Sequence, residues 1–547
     1  MTEMLRIAGG TIYDPANNID GEVRDLWIRD GRIVAVTLSD AAVKPKKEAK
    51  LPFTATRTIN ATGLVILPGG IDMHCHIAGP KVNAGRQMSP EDRRTDPTWD
   101  NLGRNVPTTH ITGYKYAGLG YTTAFDAAIS PLSARQAHLE FADTPCIDSG
   151  CYLLVADHQY LLEAVRDNRA DRVKTFLAWL LGAARGYAPK LVNPGGIETW
   201  KRSRSGSPLD LDAIVDGYSI TPRQIISAIA DATSELQLPH PMHIHCNNLG
   251  LPGNWTTTLE TMKLLAGRKA HLTHIQFHSY AGGDADEGTF GSRVEPLVSY
   301  FNEHSNLSID VGQILFGPTT SMTGDSAVGY YLSRLYKTRW YSHDVEVESG
   351  CGVSPIEYKQ KSVVHAWQWA IGLEWFLLAA DPWRVALSTD HPNGGSFTSY
   401  PRIIRLLMDA GYRREMLAHL PRQVREQSLL RTIDREYTLR EIAIITRAAP
   451  ARLLGLTDKG HLGVGAEADI TIYTPDADRE LMFQLPRYVL KSGVLLIDNY
   501  ERQTPVAGKQ LWLTPQYDTD ERQHITDWMD RHYTIRAKNY AFAEEEK

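Results

Sequence analysis

The chain has 547 residues, 42% of them hydrophobic and 22% charged, with a formal net charge of −6. That composition supports a large buried core and excludes a disordered or fibrous chain. Five cysteines exclude a disulfide scaffold, and 58 basic against 64 acidic residues exclude a protein that grips nucleic acid through bulk charge.

The first residues carry no apolar leader and run into alternating apolar and polar positions at Leu5–Ala8 and Thr11–Tyr13. Asp25–Val36 reads as two short strands around the Asp30-Gly31 turn. The lysine-rich stretch Ala42–Lys50 reads as an exposed loop, and Thr58–Leu67 as a further strand ending at Pro68-Gly69-Gly70. From about Gly70 to Leu454, short apolar runs alternate with helical patterns. The runs include Thr122–Phe125, Met242–His245, His271–Ile275, Leu307–Asp310 and Val385–Asp390, with helices expected over 222–236 and 259–265. Alternation of this kind predicts a parallel sheet, and a (β/α)8 barrel with insertions accommodates the length.

His365–Asp381 is the most apolar stretch. It is too short for a confident span and holds Gln368 and Glu374, so it reads as a buried helix and no membrane span is expected. Strand texture returns at 460–465, 469–473 and 489–497, and these segments are expected to pair with the N-terminal strands in one small β-domain. The charged stretch Thr514–Lys547 is predicted helical and solvated or partner-facing rather than core. The cysteines, at 75, 146, 151, 246 and 351, contain no C-x-x-C pair. Free thiols in a reducing, cytoplasmic compartment are expected, with no iron–sulfur site.

The 19 histidines are the unusual feature. In Asp72-Met-His74-Cys-His76 the two imidazoles lie two residues apart, so on a strand they face the same side and can bind one ion. Met242-His243-Ile-His245-Cys-Asn-Asn is a second such pair, and His271-Leu-Thr-His274-Ile-Gln-Phe-His278 holds three histidines. Leu387-Ser-Thr-Asp390-His391-Pro-Asn-Gly-Gly puts a carboxylate where a strand gives way to a loop. Imidazole and carboxylate suit zinc and related divalent ions, and each group falls at the C-terminal end of a strand, where barrel active sites sit. His243 and His245 remain alternatives, as do His271 and His274.

The order H-x-H, Lys, His, His, Asp resembles the metal-dependent amidohydrolases. The strings Pro68–Arg86, Lys190–Gly196, His245–Gly250, His274–Tyr280 and Thr389–Gly395 are similar to the A subunits of formylmethanofuran dehydrogenase and of the bacterial formyltransferase/hydrolase complex. The resemblance implies a β-sandwich from both chain ends, over 1–68 and 456–513, a barrel over 69–455 and a polar extension over 514–547. It also implies two divalent ions, with zinc the first choice. His74 and His76 would hold one ion, His245 and His274 the other. Lys190, carboxylated on its amine, would bridge them. Asp390 would ligate one ion and handle protons. The preference for His245 and His274 comes from the matched strings, and Lys174 is the rival to Lys190. Asn247, His278 and His391 are expected at the substrate.

The implied reaction is hydrolysis of the N-formyl group of formylmethanofuran, or of an analogue, to formate and the free amine. The expected partners are B- and C-type subunits together with a formyltransferase subunit. Lys201–Arg204 and the aromatic, cationic stretch Tyr330–Tyr341 could meet an acidic carrier. The chain has about two arginines for each lysine, which leans away from a hyperthermophile. Three other readings are weighed. They are an archaeal-type dehydrogenase component running formate condensation, a hydantoinase, dihydroorotase or deacylase, and a non-catalytic scaffold protein.

Overall fold

Runs that are apolar along their whole length can be buried on both faces, which is what a parallel sheet inside a ring of helices requires. In the computed structural model this is their fate. The structure describes residues 4–35, 55–89, 105–203, 210–282, 289–343, 351–540 and 542. Eight parallel strands follow one another around a barrel: Gly70–Cys75, Tyr121–Ile129, Asp148–Leu154, Ala188–Val192, His243–His245, Ala270–Leu272, Leu307–Asp310 and Val385–Ala386. The eighth strand does not pair with the first directly. The loop after it closes the ring through a parallel bridge between Cys75 and His391, and the His76 N–H donates to the His391 carbonyl at 2.7 Å. Ile71, Met73, Phe125, Tyr152 and Leu454 belong to one buried cluster that fills the lower barrel. The interior is therefore a packed core, with space left only near the C-terminal ends of the strands.

The two chain ends form a second sheet. Its order is Glu501–Arg502, Val494–Asp498, Pro486–Lys491, Ile470–Tyr473, Val65–Pro68, Met4–Asp14, Ile19–Arg29 and Arg32–Ile33, with Arg57–Asn60 also on Met4–Asp14. The expected strand at Thr58–Leu67 is thus two strands, interrupted at Thr62-Gly63, where the glycine takes φ +76°. The 460–465 segment is a loop, not a strand. Buried charges tie this sheet to the barrel. Lys459 Nζ lies 2.5 Å from both Asp148 and Glu467, and Lys491 Nζ lies 2.9 Å from Asp148 and 3.1 Å from Asp469.

The apolar stretch near 365 is the helix Val363–Leu378, buried on nearly every side. Gln368 donates to the Tyr280 hydroxyl at 2.9 Å, and Glu374 accepts from Ser428 and from the Leu429 N–H. Between the seventh and eighth barrel strands lies an antiparallel sheet of Gly317–Thr323, Cys351–Tyr358 and Tyr341–His343, with the helix Ser326–Tyr336. This insertion covers the barrel mouth.

The C-terminal expectation needs correction. The helix Thr519–His532 buries Ile525 and Met529 in the main core cluster, Trp528 donates to Glu163 at 2.7 Å, and the Tyr533 hydroxyl donates to Gln159 at 2.6 Å. The expectations for Ala42–Lys50, Arg204 and Glu544–Lys547 lie outside the described residues. No helix among the described residues is long and apolar enough to cross a membrane.

Candidate metal and active site

His74, His76, Lys190, His245, His274 and Asp390 all line one cavity of about 250 Å3 at the C-terminal ends of the barrel strands. The first strand carries His74, with His76 one residue past its end; the fourth carries Lys190 and the fifth His245. His274 and Asp390 lie just past the sixth and eighth strands. Both take left-handed backbone conformations, φ +35° and +50°, which turn the chain sharply off the barrel. Such geometry in a residue other than glycine costs roughly 1–3 kcal/mol and persists where the surrounding structure over-determines it.

Three electron-rich atoms converge on the cavity floor. Asp390 Oδ1 stands 2.9 Å from His74 Nε2 and 3.0 Å from His76 Nε2. His74 Nε2 and Asp390 Oδ1 are buried, and neither makes a hydrogen bond. His245 Nε2, His274 Nδ1 and Lys190 Nζ are likewise buried without a partner. Orphaned buried polar atoms are costly unless something satisfies them. A divalent cation fits this donor set of imidazole and carboxylate.

The electrostatics agree with that fit. Burial drives His245 and His274 well below the usual imidazole range, so both present neutral nitrogen lone pairs. Burial alone would raise Asp390, but the imidazoles of His274 and His74 outweigh it and hold the carboxyl well below its ordinary range. Burial also pushes the Lys190 amine down to about 7, against a partial pull upward from Asp310 and Asp390. A buried lysine that has shed its proton is a nucleophile rather than a cation.

The paired alternatives separate by depth. His243 faces inward like His245, yet lies one layer lower, with Nε2 2.9 Å from His74 Nδ1 and Nδ1 3.0 Å from His240. His271 is also below the floor, bonded to Ser308 at 2.9 Å and Asp310 at 3.1 Å. Lys174 is on the surface, 2.8 Å from Glu235.

The three residues expected at the substrate are not among those lining this cavity. Asn247 donates to Asn193 Oδ1 and to the Pro194 carbonyl, and so supports the loop after the fourth strand. His278 packs 5.3 Å from His274, ring to ring, with neither nitrogen bonded. His391 accepts from the Phe397 N–H at 3.3 Å and closes the barrel through its carbonyl. The residues that do face the cavity include Gln368, Asn393, Tyr331, Tyr336 and Tyr358, most of them supplied by the insertion and the helix after it. The Asn393 side chain pairs with both backbone groups of Met322, at 2.7 and 3.1 Å, and so pins the insertion to the barrel loop.

Two buried carboxylates had no place in the sequence reading. Asp126 accepts from the N–H groups of Ile77 and Ala78 and stands 3.6 Å from His76 Nδ1. Asp310 accepts from Thr273, Ser388 and the His274 N–H, and lies 3.1 Å from both His74 Nδ1 and His271 Nε2. The available signal was a lone carboxylate in an otherwise apolar barrel strand.

Residues 57–496 match the amidohydrolase family. The chain belongs to that family. Members imply a divalent metal, and the residues gathered here suit one. Protein FwdA of Methanocaldococcus jannaschii is 40% identical over 98% of this chain and 96% of its own length. The A component of the formyltransferase/hydrolase complex Fhc of Methylorubrum extorquens is 38% identical over 96% of this chain and 94% of its own. The crystal structure of the FhcABCD complex from M. extorquens, in complex with methylofuran, contains a chain that superposes with a TM-score of 0.90 at 37% identity, covering 98% of this chain and 96% of that one. An N-acyl-D-glutamate deacylase from Bordetella bronchiseptica shares the fold at 15% identity and a TM-score of 0.51.

Proposed function

We propose that this chain hydrolyses the N-formyl group of formylmethanofuran, or of a methanofuran analogue, to formate and the free amine. In this reading it is the A component of a formyltransferase/hydrolase complex, with B- and C-type subunits and a formyltransferase for partners. The observation that carries the reading is the convergence of six donors on one cavity, in a chain related along its whole length to the A component of Fhc.

Under this proposal His74 and His76 would hold one divalent ion and His245 and His274 a second, with Lys190, as its carbamate, a ligand to the pair and zinc the first choice of metal. Bound there, such ions would lower the pKa of water and polarise a carbonyl. Asp390 receives the proton of the attacking water as its oxygen adds to the formyl carbon. Asp390 then delivers that proton to the amine nitrogen as the C–N bond breaks. The tyrosines of the insertion exclude bulk water and give the flat formamide an apolar wall. The barrel over 69–455 does the chemistry in this scheme, while the segments 1–68 and 456–513 and the docked helix Thr519–His532 brace it.

Condensation of formate with the amine would use the same site in reverse. The arginine-rich composition and the near-complete overlay on the FhcABCD chain support the hydrolytic direction. Four buried free thiols, Cys75, Cys146, Cys151 and Cys246, are in keeping with a cytoplasmic enzyme. The test is turnover by the purified complex on formylmethanofuran, hydantoin and dihydroorotate. Formate release from the first alone is expected. Turnover of a cyclic amide with none of the formyl compound would overturn the proposal.

A further inference from the structure

Beneath the cavity floor runs a chain of hydrogen bonds whose directions can be worked out one proton at a time. His240 Nδ1 lies 2.8 Å from the Leu453 carbonyl. A carbonyl only accepts, so His240 carries its proton on Nδ1 and its lone pair on Nε2. That lone pair meets His243 Nδ1 at 3.0 Å, so His243 carries its proton there and presents an unprotonated Nε2. His243 Nε2 in turn lies 2.9 Å from His74 Nδ1.

A second route reaches the same atom. Asp310 is fully buried and surrounded by donors: the hydroxyls of Thr273 and Ser388, at 2.6 Å each, and the His274 N–H at 3.0 Å. His271 Nε2 donates as well, because the ionised Asp310 carboxylate 3.1 Å away can only accept. The Thr273 proton is thereby committed to Asp310, which leaves the Thr273 oxygen facing His74 Nδ1 as an acceptor. His74 Nδ1 therefore faces three acceptors whose own protons all point elsewhere: His243 Nε2, Asp310 Oδ2 and Thr273 Oγ1.

We infer that His240, His243 and Asp310 are positioning residues that lock the proton of His74 on Nδ1, so that its Nε2 lone pair is held toward the cavity before any ion arrives. The inference rests on the proposed metal role of His74. It adds that the tautomer of that ligand is set three residues away, by a main-chain carbonyl on the helix Ala449–Leu454. Outer hydrogen-bond partners of this kind orient a ligand and raise its basicity, and losing one costs about 10–100-fold in metal affinity. The same three side chains, His74, His243 and Asp310, could be read as a metal site of their own. Both ring nitrogens of His243 are already engaged, Nδ1 with His240 and Nε2 with His74, which leaves it no lone pair for an ion.

The test compares the full-length chain, in its complex, with His240→Gln, His240→Phe and Asp310→Asn. Bound divalent ions are counted during chelator competition, and melting temperature is recorded alongside. Glutamine can donate to the Leu453 carbonyl and accept from His243, so His240→Gln should stay within a few-fold of wild type. His240→Phe and Asp310→Asn should weaken one ion of the pair by about 10–100-fold and leave the other in place. Equal losses in the Gln and Phe variants would show that the ring's shape matters rather than its polarity, and would overturn the inference. So would unchanged affinity in all three. Neutron diffraction of the wild-type protein decides the matter even if a variant fails to fold. Deuterons are expected on Nδ1 of His240, His243 and His74, and one on His243 Nε2 refutes the relay. A wild-type chain that holds no ion would count against the proposed function, while the deuteron map would still judge the relay.

Discussion

The depressed pKa of Lys190 can be tested through the chemistry proposed for it. Carbamate formation needs the free amine to attack CO2, so the rate at fixed dissolved CO2 follows the unprotonated fraction. Burial sets the Lys190 pKa at about 7. The free fraction is then about one-tenth at pH 6 and about nine-tenths at pH 8, a tenfold rise that levels off above pH 8. A solvent-exposed lysine near 10.4 would instead rise about a hundredfold over the same interval and keep rising past pH 9. The assay strips the metal and the carboxylate at low pH, returns the chain to each pH with a divalent ion and a fixed concentration of dissolved CO2, and follows recovery of hydrolysis. The carbamate is detected directly with 13C-labelled CO2. The stability of the stripped chain follows the same group. The unfolded chain still binds the proton that folded Lys190 has released between about pH 7 and 10.5, so stability rises with pH across that window. Recovery that continues to climb above pH 9, or that proceeds at full rate without CO2, would refute both the neutral amine and the bridging role.

Four further outcomes are expected. Asp390→Asn should retain bound metal in part and lose about 10²–10⁴-fold in turnover, as removal of a proton-transfer group does, measured as formate release. His74→Ala and Lys190→Ala should each fold, by circular dichroism, and be inactive; wild-type turnover in a fully metallated variant would count against the assignment. Gly312 sits at φ +67°, and a Cβ there would fall 2.5 Å from the Cβ of His274, so Gly312→Ala should displace His274 and lower metal content. Lys491→Ala should lower stability by about 3–5 kcal/mol in denaturant titration, because it leaves Asp148 and Asp469 buried with part of their counter-charge gone.

What could be read in the sequence, and what could not, follows from which constraints are local. Period-two spacing put His74 and His76 on one face of a strand without further information. The same rule could not choose between His243 and His245, which both face inward. Their difference is depth along the barrel axis, which no spacing encodes. His271 and His274 differ for another reason. The strand ends at Leu272, and the left-handed turn at His274 re-aims its ring at the cavity. A histidine in that conformation is not legible from residue type. Asp310 was legible only as a carboxylate ending an apolar run, and its meaning came from four other segments that meet it.

The cavity wall was the least legible part. Tyr331, Tyr336 and Tyr358 belong to an insertion more than two hundred residues from His74 in sequence, and aromatic side chains at such spacing look the same whether they line a pocket, a contact between proteins or a surface. The C-terminal helix misled for the opposite reason. Its buried stripe is only Ile525 and Met529, one turn apart, inside a segment otherwise dense in charge, and so narrow a stripe is outvoted by composition. Metal donors are legible because few residue types can do their work. Walls and docking stripes are not, because many types can, and only the fold says which ones are used.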